Sequence, residues 1–364
     1  MSGIYRPEIG GPAFYIPKLA QSIVNAGHSV EVITLKQSFA KIQKENWPVN
    51  YVNRDQPMIL RFVKLFFTIL KSAKKSDVIF VNGLYIECGF VLRIYKKKSI
   101  AKVVGDPVFE RESNRGRTEL SRSEFNSNSL NFRQFIQRRL LVLCLNTFKD
   151  ITCPSDELIF LLKGWGVKNP IHLIANGVEI IEGITLNKEF DVVTISRLLS
   201  LKNIDVLIKA CSSAGKKLAI VGSGPEEIKL KKVALYENSD VEFFGTLDDS
   251  EVIEVLKKSR VFALLSDYEG QSFALLQAMS VGLPSIVSDA KGNIAVIKNG
   301  SEGLVVNPYV LTEVSNAIEK LLCNEEMQLE MGSAAKWKIK EFYSQAKNHQ
   351  EIFKLMGFER NYES

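Results

Sequence analysis

The sequence predicts an α/β protein built from two doubly wound domains in succession. Three observations carry this expectation. Short runs rich in Val, Ile and Phe alternate with longer helical stretches along the whole chain, the pattern of parallel sheets with crossover helices. The chain has 364 residues and is 46% apolar, enough for two domain-sized cores. A polar stretch over Glu179–Lys188, just after Asn176-Gly177-Val178, separates two series of such units.

In the first series the apolar runs place strands at Val30–Leu35, Val49–Val52, Val78–Asn82, Lys102–Gly105 and Ile151–Cys153. Helices fall between them at Pro17–Ala26, Met58–Lys74 and Phe132–Leu145. The second series has strands at Phe190–Ile195, Lys217–Val221, Val241–Phe244, Val261–Leu264, Ser285–Val287 and Gly303–Val305. Its helices are Ile204–Ser213, Glu226–Leu235, Ser250–Lys258, Ala274–Val281, Leu311–Leu322 and Glu325–Glu341. The expected domains are residues 1–180, completed by a C-terminal helix over 343–364, and residues 181–342. Two such domains in tandem put a cleft between them, with strand C-termini and helix N-termini facing it, where nucleotides bind.

Composition excludes several classes. Charged residues at 24% and a mean hydropathy near zero argue against disorder. No apolar run reaches the roughly 18 residues of a membrane span, and Met1-Ser2-Gly3-Ile4 lacks the features of a signal peptide. Cys88, Cys144, Cys153, Cys211 and Cys323 are odd in number, far apart and in no metal-binding spacing. They point to a reducing, cytoplasmic compartment. Three scattered histidines, His28, His172 and His349, argue against a histidine metal centre.

Charge is divided unevenly. Residues 1–180 carry 26 Lys+Arg against 15 Asp+Glu, and residues 181–364 carry 21 against 26. The balances, +11 and −5, sum to the overall +6. A basic half suits an anionic partner: lipid headgroups, nucleic acid or a phosphorylated substrate. The plainer alternative is charge drift between domains without purpose. Met58–Lys75 interleaves Phe62, Leu65, Phe66, Ile69 and Leu70 with Arg61, Lys64, Lys71, Lys74 and Lys75. Such a helix could lie on an anionic membrane at its inner face, or could pack on its own sheet and solvate its lysines. No nucleic-acid motif is present, so nucleic acid is not an expected partner.

The most informative segment runs from Ser266 to Met279. A strand ends in a polar turn carrying Glu269 and Gly270, and a helix starts near Ser272 or Phe273. Gly282-Leu283-Pro284 stops that helix. Free N–H groups at its start suit a diphosphate or sugar hydroxyls, and Glu269 can accept hydrogen bonds from a polyol. Gln277 follows about two helical turns later. An ordinary strand–turn–helix with a solvated glutamate is the alternative. Arg197 and Lys202 follow the first strand of the second domain, where two fixed cations suit an anionic group, with solvated surface charges as the alternative. Gly222-Ser223-Gly224-Pro225 ends a strand and reads either as a ligand-approach turn or as a structural one. Asp248-Asp249 reads as a helix N-cap region rather than a metal motif.

Glu269 to Gly282, followed by Pro284 and Ser288-Asp289, resembles the signature of the retaining family-4 glycosyltransferases of GT-B fold. Gly10-Gly11-Pro12, Gly27-His28, Asn176-Gly177-Val178, Ser196-Arg197-Leu198 with Lys202, Gly222-Ser223-Gly224-Pro225, Phe244-Gly245 and Gly292-Asn293 resemble further landmarks in order. The resemblance covers nearly the whole chain. It implies that a sugar passes from a nucleoside diphosphate donor to a glycan or lipid-linked acceptor, with retention and without a metal or other cofactor. It implies Glu269, Arg197 and Lys202 as catalytic residues. It implies Gly10, Gly11, Gly222, Gly224, Phe244, Gly245, Gly270, Gln271, Ser272, Phe273 and Gln277 at the donor. Gln277 stands where the family signature has a second glutamate that holds the ribose, and glutamine can still hydrogen-bond there. The family often has a histidine near the reacting sugar, and Lys102–Arg117 contains none. Asp106, at a strand end, is the candidate polar group in its place, with a turn cap before Pro107 as the alternative. Two rival functions share the fold: a nucleotide-sugar 2-epimerase, and a donor-binding pseudoenzyme or regulatory subunit.

The start of the chain carries one more expectation. Only nine residues precede Gly10, and Ser2-Gly3-Ile4-Tyr5 is short for a strand of about 5–6 residues. The strand that should lie mid-sheet before the glycine turn is largely missing, which suggests a chain that begins late, or a sheet closed around a stub.

Overall fold

The computed structural model describes residues 1–8, 10–37, 44–113, 122–127, 130–183 and 187–358. It divides into two compact units, residues 1–174 with 349–364 and residues 175–348. Each is α/β with parallel strands and flanking helices.

The first unit opens with α1 (Gly11–Asn25), which starts earlier than expected because Gly10 caps it and Pro12 sits in its first turn. Two strands, β1 (Val32–Lys36) and β2 (Val49–Asn53), pair in parallel. After α2 (Met58–Ala73) come β3 (Val78–Val81), α3 (Tyr85–Ile94) and β4 (Lys98–Lys102). The short helices α4 (Pro107–Ser113) and α5 (Arg122–Ser127) lead to α6 (Phe132–Leu145). Then follow β5 (Asp150–Cys153), α7 (Asp156–Trp165) and β6 (Ile171–Leu173). Strands β3, β4, β5 and β6 are hydrogen-bonded side by side in that order, all parallel.

The fourth strand lies before the expected Lys102–Gly105. Its register on β3 pairs Val78 with Lys98 and Val81 with Ala101, which buries Ile100 and Ala101 completely. The lysine-rich start of β4 disguises it as loop in the sequence.

Residues 1–3 lie between β1 and β3. Ser2 bridges in parallel to Thr34 on one side and Asn82 on the other. Ser2 N–H donates to Ile33 O, and Asn82 N–H donates to Met1 O, both at 2.9 Å. The order is therefore β2-β1-stub-β3-β4-β5-β6, and no full-length strand precedes Gly10 among the described residues.

The second unit contains β7 (Phe190–Ile195), α8 (Ile204–Ser213), β8 (Leu218–Val221), α9 (Glu227–Tyr236) and β9 (Val241–Gly245). It continues through α10 (Asp249–Lys257), β10 (Ser259–Leu264), α11 (Phe273–Val281), β11 (Ser285–Ser288) and α12 (Lys291–Ile294). The last elements are β12 (Gly303–Val306), α13 (Leu311–Leu322), α14 (Glu325–Phe342) and α15 (Gln345–Met356), whose later residues belong to the first unit. The six strands run parallel in the order β12-β11-β10-β7-β8-β9. The progression reverses between β7 and β10, so the carboxyl ends of those two strands flank the natural ligand crevice of such a sheet.

Local chemistry explains the boundaries. Asp248 caps α10, accepting from Ser250 N–H and Glu251 N–H at 2.9 Å each, while the Glu251 carboxylate accepts from Asp248 N–H. Gly282 ends α11 in the left-handed conformation at φ 88°. The core between sheet and helices includes Val192, Leu207, Ile208, Ile220, Val261, Ile286, Val314, Ile318 and Leu321, each at most 1% exposed. Truncating one such Leu or Ile to Ala costs roughly 2–5 kcal/mol.

Candidate active site

The loops after β7 and β10 are stitched together. Leu198, fully buried, anchors the first loop, which then makes a single tight turn over Ser200–Lys202. Asn203 follows in the left-handed conformation at φ 50°. Its side-chain amide donates to Leu265 O at 2.9 Å and to Asp267 Oδ1 at 2.5 Å. Asp267 N–H donates back to Leu201 O at 2.9 Å, and the Tyr309 hydroxyl donates to Asp267 Oδ1 at 2.8 Å.

This stitching brings Lys202 Nζ to 2.5 Å from Glu269 Oε1. Both side chains are largely enclosed, at 14% and 12% exposed. Ser266 Oγ donates to the same carboxylate oxygen at 2.8 Å. Glu269 Oε2 accepts nothing among the described residues, which leaves it for a ligand hydroxyl. The Arg197 side chain is exposed and makes no hydrogen bond or ion pair among the described residues.

Behind Glu269 stands a buried polar chain to which the sequence assigns no role. Asn293 Nδ2 donates to Ser288 Oγ at 3.0 Å, and Ser288 Oγ donates to Ser266 O at 2.5 Å. Ser266 and Asn293 are 0% exposed and Ser288 1%. Gly292 packs so close that a Cβ would collide with the carbonyls of Glu269 and Gly270. These bonds join separate strands and turns, so no periodicity announces them.

Ser272 caps α11, its hydroxyl accepting from Leu275 N–H at 3.3 Å. The first turn of a helix leaves N–H groups without intrahelical partners, a natural seat for anionic or polyhydroxyl groups. Phe273 is the first residue of that turn, and Gly270 lies in the loop ahead of it. Gln271 ties the loop down, because its Oε1 accepts from Asn176 N–H at 2.5 Å and its backbone O from Asn176 Nδ2 at 3.0 Å. The neighbouring Gly177 lies against Ser344 and Gln345, where a Cβ would not fit. Gln277, on the second turn of α11, is 8% exposed.

The glycines after β8 are explained by the protein itself. A Cβ at Gly222 (φ 131°) would strike Ser196 O, and one at Gly224 would strike the backbone of Leu198. They let the β8 turn press on the loop that carries Arg197. Gly222 N–H also donates to Gly245 O at 2.7 Å. Gly245 has φ 64° and open space at its Cβ, while the Phe244 ring packs edge-on against Phe190 at 5.6 Å.

Asp106 needs correction as a substrate-facing group. It is 0% exposed, and its Oδ1 caps α4 by accepting from Val108 N–H and Phe109 N–H. Its Oδ2 accepts from Asn126 Nδ2 at 3.1 Å and pairs with Arg138 at 3.4 Å. With both oxygens engaged internally, the alternative of a cap before Pro107 holds. Residues 114–117 of the histidine-free stretch lie outside the described residues. Gly10 and Gly11 sit at the start of α1 in the first unit, Gly10 with φ 150°. Among the described residues no three His, Cys, Asp or Glu side chains group as metal ligands.

Comparison with known proteins assigns the family. Residues 179–338 match the family model described as Glycosyl transferases group 1, and residues 9–181 match that of Glycosyltransferase Family 4. The chain belongs to glycosyltransferase family 4. It is 27% identical over 327 residues to an uncharacterized glycosyltransferase of Methanocaldococcus jannaschii, covering 83% of this chain and 79% of that one. It is 28% identical to the amylovoran biosynthesis glycosyltransferase AmsD of Erwinia amylovora, over 54% of this chain and 59% of AmsD. Anabaena HepE, solved in complex with UDP and glucose, superposes with a TM-score of 0.80 at 16% identity, covering 98% of each chain. That likeness shows the GT-B fold. This family-4 glycosyltransferase is an enzyme of sugar transfer.

Proposed function

We propose that the protein transfers a sugar from a nucleoside diphosphate donor to a glycan or lipid-linked acceptor, with retention at the anomeric carbon. The observation that carries this reading is the meeting of Lys202 and Glu269 at the strand reversal, with the exposed Arg197 on the same loop as Lys202 and the α11 N-terminus following Glu269. The donor binds on the second unit, and the first unit takes the acceptor. Arg197 neutralises the diphosphate, and Lys202 moves between Glu269 and a phosphate oxygen. Two fixed cations supply the charge that a divalent metal would otherwise bring, so transfer proceeds without one. Glu269 Oε2 and the α11 start hold sugar hydroxyls, and Gln277 hydrogen-bonds the ribose.

In the step itself, the acceptor oxygen bonds to the anomeric carbon as the bond from that carbon to the phosphate oxygen breaks. The electron pair leaves with the diphosphate, and the acceptor proton passes to the departing phosphate oxygen. No base from the protein is required, in keeping with Asp106 being internal. The UDP and glucose in the structure of Anabaena HepE and the amylovoran biosynthesis in the name of AmsD support a nucleotide-sugar donor and a role in glycan synthesis.

Incubation with a panel of nucleotide sugars and glycan or lipid acceptors tests the reading. Acceptor-dependent release of nucleoside diphosphate, unaffected by EDTA, with a product of the donor's anomeric configuration, is expected. Epimer formation, or binding without turnover, would overturn it in favour of an epimerase or a pseudoenzyme.

A further inference from the structure

Helices α2, α3 and α6 of the first unit form one layer. The rings of Phe62 and Phe90 meet edge-on at 5.6 Å between α2 and α3. Gly89 of α3 lies directly against Cys144 of α6, and the Arg93 guanidinium donates to Leu143 O at 3.3 Å. Each helix already buries an apolar stripe: Leu65 and Ile69 on α2, Val91 and Leu92 on α3, Leu141 and Leu145 on α6. Core packing is therefore satisfied on the inner side.

A second set of apolar side chains is nevertheless turned outward. Ile59 is 76% exposed, Phe67 62%, Ile94 69% and Phe132 80%, and Phe135, Ile136 and Leu143 are exposed too. Interspersed exposed cations are Lys64, Lys71, Arg93, Arg133 and Arg139, the last 5.1 Å over the Phe135 ring. The three helices contain a single acidic residue, Glu87, which is partly buried. Scattered exposed apolar residues need no explanation. Eleven on one three-helix layer, among cations and almost without acids, do.

We propose that this layer is a docking surface for an anionic lipid bilayer. Charge complementarity selects the occupant. A second copy of the chain would bring like charges together, and a nucleic acid would leave the outward Ile and Phe side chains without an apolar environment. A bilayer accepts both groups at once, with apolar side chains entering the acyl boundary and Lys and Arg at the headgroups. The contact is peripheral. No helix among the described residues is long and apolar enough to cross a membrane. The surface stands independently of the transfer chemistry, whose residues lie in the second unit.

The test is co-sedimentation of the full chain with vesicles of pure phosphatidylcholine and of equimolar phosphatidylcholine and phosphatidylglycerol. Binding to the mixed vesicles, weakened by added salt and absent for pure phosphatidylcholine, is expected. Lys71→Glu with Arg139→Glu should weaken it by at least about ten-fold, at roughly five-fold per charge removed. Ile59→Ser with Phe132→Ser should weaken it separately, and both variants should keep the wild-type melting temperature because the sites are exposed. Equal binding to both vesicle types, binding unchanged in both folded variants, or a preference for a duplex oligonucleotide over the vesicles would overturn the proposal. So would a stable dimer in sedimentation that the same substitutions break.

Discussion

Lys202 Nζ lies 2.5 Å from Glu269 Oε1, and the two residues come from loops that follow β7 and β10, on either side of the strand-order reversal. Sixty-seven residues of chain separate them. With so little exposure, the carboxylate is held chiefly by this ammonium and the Ser266 hydroxyl. A double-mutant cycle with Lys202→Met and Glu269→Gln should therefore be strongly non-additive in turnover. Additive losses would mean the two residues act separately.

Ser266 positions Glu269 without facing solvent. Ser266→Ala should lower kcat by about ten-fold with KM little changed, because the variant loses orientation rather than donor binding. Its melting temperature should fall only as for one lost hydrogen bond, about 1 kcal/mol. A change in KM alone would assign Ser266 to ground-state binding instead.

The two glycine classes near the site should respond differently to alanine. Gly222→Ala combines a left-handed backbone with a collision at Ser196 O, and should cost more than about 2 kcal/mol. Gly245→Ala meets open space and should cost only the left-handed penalty, about 1 kcal/mol. Thermal melts of the two variants decide this, and equal losses would contradict it.

These residues show how much was legible beforehand. The runs Phe190–Ile195, Ile204–Ser213 and Leu311–Leu322 coincide with β7, α8 and α13, because β-branched runs and helical spacing mark them locally. Strand β4 was hidden because Lys98 and Lys102 stand at its ends, and β6, only three residues long, was missed. Glu269, Arg197 and Lys202 stand as candidates because an ordered set of motifs resembles the family's. The contact between Lys202 and Glu269 was not legible, since it depends on Asn203 in a left-handed turn. Asp106 shows the limit of reading a strand end: the same pattern serves a ligand or a helix cap, and only the positions of Asn126 and Arg138 separate the two.

Stability of the first unit should depend on pH through His349. Burial, and next the nearby Lys102 and Lys18 charges, push its imidazole down from 6.5 to about 4. The unfolded chain then binds a proton that the folded protein refuses, so the stability that rests on a neutral His349 is full above pH 6.5 and declines as pH falls towards 4. Lys102, fully buried and lowered to about 8 chiefly by desolvation, adds a loss as pH falls from 10.5 to 8. His349→Phe, which keeps ring contacts to Tyr15 and Phe353, should flatten the decline between pH 6.5 and 4. An unaltered melting profile in that variant would show the slope has another source.

The most direct measurement compares turnover of wild type, Glu269→Ala and Arg197→Ala on the preferred nucleotide sugar, in EDTA, with melting temperatures recorded alongside. Glu269→Ala should keep the fold and lose turnover by a factor on the order of a hundred or more, as for loss of a transition-state contact. Arg197→Ala should weaken nucleoside diphosphate binding as well. Wild-type turnover in a folded Glu269→Ala protein, or activity that disappears with EDTA, would contradict sugar transfer by this constellation.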